Sequence, residues 1–78
     1  MPTPYHIVIA PAARLQVNAL PLKDQKTIIK LLDALSINPR PPGAKKIEGM
    51  NGLYREEMEQ LRLIYKVEDQ EVLVLLVK

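Results

Sequence analysis

The residues of this sequence that could do chemistry are mostly cations. Arg55 and Arg62 stand seven apart in Gly52-Leu53-Tyr54-Arg55-Glu56-Glu57-Met58-Glu59-Gln60-Leu61-Arg62-Leu63-Ile64-Tyr65, each with a tyrosine nearby. Upstream, Lys45 and Lys46 form a basic pair, with Arg40 close in sequence. Lysine and arginine grouped in this way neutralise phosphates, so one reading of Arg40, Lys45 and Lys46 is contact with an RNA backbone. The plainer reading is a solvated loop. Arg55 and Arg62 also have a plainer reading, cross-strand pairing with Glu57 or Glu68, worth only about 0.2–1 kcal/mol when exposed. Other chemistries have few residues to work with. There is no cysteine, hence no thiolate metal site and no disulfide framework. His6 is the only histidine; it cannot build a metal site by itself and is read as an ordinary strand residue. Tyr5, Tyr54 and Tyr65 are too few for a base-stacking platform. Nothing in the sequence asks for a cofactor.

The arginines share a face only if their stretch folds as a hairpin. Residues 61–67 alternate, with Leu61, Leu63, Tyr65 and Val67 on one face and Arg62, Ile64 and Lys66 on the other. In a strand over 53–58 the same alternation puts Arg55 and Glu57 together. Local propensity favours a helix here, because residues 54–62 are rich in Glu, Met, Gln, Leu and Arg and carry no turn marker. The alternation, and the β-branched run from 72 to 77 that needs a sheet to join, decide for strands. The expected turn lies at 58–60, and Glu68-Asp69-Gln70-Glu71 reads as a second hairpin loop.

The rest of the chain supplies the support. Tyr5-His6-Ile7-Val8-Ile9-Ala10 reads as a strand. Pro11 stops it and opens a short helix to residue 19. Pro21 opens a second helix, near 21–36, whose Ile28, Leu31, Leu32 and Leu35 form one apolar stripe. Asn38-Pro39 ends it. The tight link between the helices predicts a helical hairpin laid on a sheet. Residues 40–49, with two prolines and two glycines, read as an irregular, stiff connection. The expected class is α+β in the order β-α-α-β-β-β, with the helical hairpin on one face of a small, mostly antiparallel sheet and strands near 5–10, 52–58, 61–68 and 71–78. Simple alternation in the last strand puts Val72, Val74 and Leu76 on one face and Leu73, Leu75 and Val77 on the other. One face meets the helices. The other, taken as Leu73, Leu75 and Val77, needs cover from a partner protein or a second copy of this chain.

At 78 residues the chain is one domain, 1–78, of a size at which a single core is marginal. A net charge of +2 permits nucleic-acid binding without announcing it. No stretch approaches the roughly 20 apolar residues of a membrane span, and no signal segment opens the chain. Both point to the cytoplasm.

In its order of elements the sequence resembles the RelE/ParE toxin family of bacterial toxin–antitoxin systems, with the RelE branch favoured. The resemblance is carried by Ile9-Ala10-Pro11-Ala12-Ala13 at the first strand-to-helix corner, Leu20-Pro21 before the second helix and Asn38-Pro39-Arg40-Pro41 after it. Ala44-Lys45-Lys46-Ile47-Glu48-Gly49, Gly52-Leu53-Tyr54-Arg55 and Leu61-Arg62-Leu63-Ile64-Tyr65 then follow in order.

The resemblance implies a toxin restrained by a cognate antitoxin, which enters the ribosomal A site and cuts messenger RNA there. In that reaction a ribose 2′-hydroxyl attacks the adjacent phosphate, and the protein aligns, moves protons and steadies charge. Arg55 and Arg62 match basic positions of the family's second and third strands and are the expected catalytic residues. Arg40, Lys45 and Lys46 are the expected RNA contacts. The sequence departs from the family where Glu57 replaces a commonly basic residue, where the turn lacks its usual glycine, and at Lys78, beyond which the family usually carries an arginine and a tyrosine. These departures imply weak cleavage or none. The alternatives are a degenerate toxin that only binds its antitoxin, and the ParE branch, which poisons DNA gyrase.

Overall fold

The computed structural model describes residues 4–41, 44–58 and 60–78. The elements are β1 (His6–Ile9), α1 (Pro11–Asn18), α2 (Leu22–Ile37), β2 (Lys45–Lys46), β3 (Leu53–Met58), β4 (Leu61–Glu68) and β5 (Glu71–Val77). The strands form one sheet in the order β1-β5-β4-β3-β2. β1 runs parallel to β5 and every other pair is antiparallel. The class is α+β, as the sequence implied.

Both helices start at proline. Pro11 is the first residue of α1, after an extended Ala10. Pro21 caps α2, whose first turn holds Asp24 near the positive end of the helix dipole. α2 buries the predicted stripe, Ile28, Leu31, Leu32 and Leu35, and ends where Asn38 turns extended ahead of Pro39. These side chains meet Leu61, Leu63, Tyr65 and Val67 of β4 and Val72, Val74 and Val77 of β5, with Ala13 of α1 fully buried among them.

Residues 53–68 form the hairpin that alternation demanded. Glu57 pairs with Arg62 and Met58 with Leu61, so the two strands face each other to their ends. Of the turn expected at 58–60, Glu59 lies outside the described residues. The second hairpin closes through Asp69, at φ 46° in the left-handed region that Asp tolerates in tight turns. Gly52, at φ 77°, leads into β3; a Cβ there would sit 3.0 Å from the Val67 carbonyl oxygen.

Two expectations need correction. The connection at 40–49 holds a short strand, β2, in which Lys45 pairs with Arg55 and Lys46 with Tyr54. Lysines carry no β signal; what makes this a strand is its backbone ladder to β3. Val77, expected on the outer face, is in the core at 1% exposure. A bulge causes this. Val74 pairs with Tyr65 and Leu76 with Ile64, leaving Leu75 unopposed. One extra residue reverses the alternation beyond it. Val72, Val74 and Val77 therefore point to the helices, while Leu73, Leu75 and Leu76 are half-buried. The Val77 N–H, past the end of β1, donates instead to Gln16 Oε1 of α1 at 2.7 Å.

Candidate nucleic-acid interface

The sheet has one face against the helices and one turned away from them. Register decides which residues share the outer face. Arg55 lies opposite Ile64, Glu57 opposite Arg62, and Lys45 opposite Arg55 across the other edge. Ile64, Arg62 and Lys66 alternate with the buried residues of β4, so this set is the outer one. The fold thus brings Lys45, Arg55 and Arg62 together, with Glu57 among them.

Glu57 determines the electrostatics. Its Oε1 is 3.4 Å from Arg55 Nε and its Oε2 is 4.0 Å from an Arg62 terminal nitrogen. The first contact is an ion pair without hydrogen-bond geometry, because Arg55 Nε is buried and bonds to nothing. All three side chains are about half exposed, so the pairing adds little stability. Its effect on charge is larger, since one carboxylate lies between two guanidinium groups, where an anionic ligand would have to compete with it. A polar groove of about 390 Å³ opens beside this cluster, lined by Glu57, Gln60, Leu61, Arg62 and Lys78. A smaller one of about 230 Å³ is bordered by Lys45, Lys46, Ile47, Glu48 and Arg55. Lys46 touches that groove, although its register places it opposite Tyr54.

Arg40 lies elsewhere. Its Nε donates to the Tyr54 hydroxyl at 3.0 Å, and its guanidinium carbon is 5.8 Å from the centre of the Tyr54 ring. Hydrogen bonding to Tyr54, and then to Tyr5, raises its pKa further. Tyr54 stacks on Tyr65 with ring centres 5.8 Å apart, and Tyr65 is buried against the helices. Arg40 therefore belongs to an aromatic cluster on the helix side, away from Arg55 and Arg62. Tyr65 donates its hydroxyl proton to the Pro39 carbonyl at 2.8 Å. Burial, then the charge of Glu56, pushes its pKa well above the usual phenol value. Neither Tyr54 nor Tyr65 reaches the arginine face. Their closeness to the arginines in sequence becomes opposition in space, because neighbours in a strand face opposite ways.

Outward from the cations runs an apolar strip. Ile64, Leu73, Leu75, Leu76 and Val8 are all half-buried, and Val8 pairs with Leu73 at the β1 side. Leu73 and Leu75 are thus where a covering partner was expected, with Leu76 in place of Val77. Among the described residues no group of His, Asp and Glu could hold a metal. Among the described residues, no helix is long and apolar enough to cross a membrane.

Neither the protein-family models nor the curated proteins contain a match to the sequence. Solved structures do match. The RelB–RelE complex from Pyrococcus horikoshii superposes with a TM-score of 0.84 at 26% identity, over 95% of this chain and 92% of that one. The intact Escherichia coli RelBE toxin–antitoxin complex gives 0.84 at 25% identity, over 94% and 93%. The RelBE2 toxin–antitoxin complex of Mycobacterium tuberculosis gives 0.84 at 23% identity, over 96% of both chains.

Proposed function

Because this chain is a RelE-like toxin fold over nearly its whole length, we propose that it is the toxin half of a toxin–antitoxin pair. The observation that carries the reading is the superposition on RelE chains that were solved in complex with RelB antitoxins. Lys45, Arg55 and Arg62 then form the face that meets messenger RNA in the ribosome, with the two guanidinium groups steadying charge on the phosphate under attack. Lys46 contributes from the border of the face and Arg40 does not. An antitoxin seated on the strip of Leu73, Leu75 and Leu76 covers the same side of the sheet as the arginines, so binding and inhibition coincide. A second copy of this chain is the competing cover for that strip.

Glu57 favours a second reading within the first, that cleavage is weak and binding dominates. It offsets about half the charge of the two cations that a phosphate would need, and both sheet tyrosines are turned away. The test is inducible expression without antitoxin, with growth followed and ribosome-bound message mapped by primer extension. Mild growth inhibition with faint A-site cuts that vanish in Arg62→Ala is the expected result. Strong arrest with heavy cutting overturns the weak-cleavage reading. Arrest with intact message and inhibited gyrase supercoiling overturns the RNA target.

A further inference from the structure

The helices do not cover β3. β4 and β5 bury their inner residues against α1 and α2, whereas no residue of β3 is buried. Register still turns part of β3 to the helix side. Glu56 lies opposite Leu63 and Met58 opposite Leu61, and both leucines are in the core. Directly opposed residues share a face, so Glu56 and Met58 form an open shelf beside α2.

Between the shelf and the helix lies a groove of about 400 Å³, lined by Thr27, Lys30, Leu31 and Ala34 of α2 and by Glu56 and Met58 of β3. Ile37 continues the Thr27–Lys30–Ala34 row one turn on and is 77% exposed. Met58, on the other wall, is 38% exposed. The groove is largely apolar, with one unanswered charge. Glu56 Oε2 is buried and takes no hydrogen bond. Lys30 lines the same groove but makes no ion pair with it. Burial holds the Glu56 pKa above the usual carboxylate value, and no neighbouring cation brings it back.

We propose that this groove receives an amphipathic helix of a partner protein, and that Glu56 takes a lysine or arginine from that helix. Charge complementarity picks the occupant, because a cation gives the Glu56 carboxylate the partner it lacks while apolar neighbours fill the space between Leu31, Ala34 and Met58. Lys30 is exposed at the rim, where salt and water screen its repulsion of that cation. The walls are side chains, so an occupant has to satisfy its own backbone, as a helix does. The small Ala34 lets a second helix approach α2 closely, and apolar anchors three and four residues apart supply the fit. The site is on the opposite side of the sheet from Arg55 and Arg62, so it can be filled without displacing anything from them.

The experiment is selection of a displayed library of helical peptides, randomised along one face, against the whole chain. It needs no antitoxin and no RNA, so its failure is separate from failure of the toxin reading. The expected pool places apolar residues three and four apart and fixes a Lys or Arg among them. Its binding falls about tenfold against Glu56→Gln, the loss of one charge-assisted hydrogen bond. Ala34→Arg, at an exposed helix position that suits arginine, fills the groove and abolishes binding with the circular dichroism unchanged. Glu56→Gln keeps the test decisive should Ala34→Arg unfold. A pool without a fixed cation, equal binding to Glu56→Gln, undiminished binding to folded Ala34→Arg, or no pool at all overturns the proposal. So does a dimer in sedimentation that Ala34→Arg makes monomeric, because the groove then belongs to a second copy.

Discussion

Glu57 is the residue on which the charge of the candidate RNA face most depends. Replacing it with lysine removes the carboxylate from between Arg55 and Arg62 and adds a cation to their face. Affinity for a short single-stranded RNA is expected to rise about tenfold at low salt, or about 1.4 kcal/mol. That gain shrinks as salt is added, because phosphate contacts are lost with counterion competition. Titration of a fluorescent oligonucleotide at several salt concentrations checks both. At the other end of the hairpin, Tyr65→Phe leaves the buried Pro39 carbonyl without its donor. The cost is expected at about 1–3 kcal/mol, read from denaturant unfolding. That bond joins residues far apart in sequence, and nothing local to either residue announces it.

At the level of elements, legibility follows the polar markers. In β4, Arg62, Ile64 and Lys66 alternate with Leu61, Leu63 and Tyr65, so its two faces can be read before folding and are found as read. α2 shows its stripe for the same reason. In β5, residues 72–77 are all apolar, and no polar residue records where the alternation slips. The bulge at Leu75 was therefore invisible, and with it the burial of Val77. Closeness in sequence is a weak guide for the basic segment too. Arg40 is near Lys45 in sequence, but its side chain lies on the helix side, on Tyr54. The bulge also makes a sharp prediction. Val77→Asp buries a charge in the core and is expected to abolish cooperative thermal unfolding. Leu75→Asp, at the half-buried position, is expected to leave the fold intact and weaken antitoxin binding. Circular dichroism and a co-purification assay separate them. Folded Val77→Asp protein would contradict the burial of Val77 beyond the bulge.

At the scale of the molecule, Glu56 couples the fold to pH. Its folded pKa is raised, so near the carboxylate range the folded chain holds a proton that the unfolded chain has already released. Stability from this group is therefore complete below the unfolded pKa and is lost as pH rises through the folded one. Glu56→Gln is expected to raise the melting temperature at pH 7 and to have little effect at acid pH, where the carboxyl is already neutral. Melting curves at both pH values test this. An equal gain at both would mean that packing, not charge, is responsible.

The placement of β5 has a consequence in time. Of the described strands it is made last, yet it lies between β1 and β4 and takes the parallel contact from the first. While a ribosome makes the chain, β1 waits without a sheet partner until Glu71 to Val74 emerge, and the strip of Leu73, Leu75 and Leu76 does not yet exist. The two helices and the β3–β4 hairpin can form early, but a two-stranded hairpin without its neighbour is marginal. The cation face is therefore assembled late, in one step with the surface proposed for its inhibitor. A nascent chain would therefore carry neither the finished cation face nor the finished apolar strip, and whatever reads one of them would meet both at the same moment.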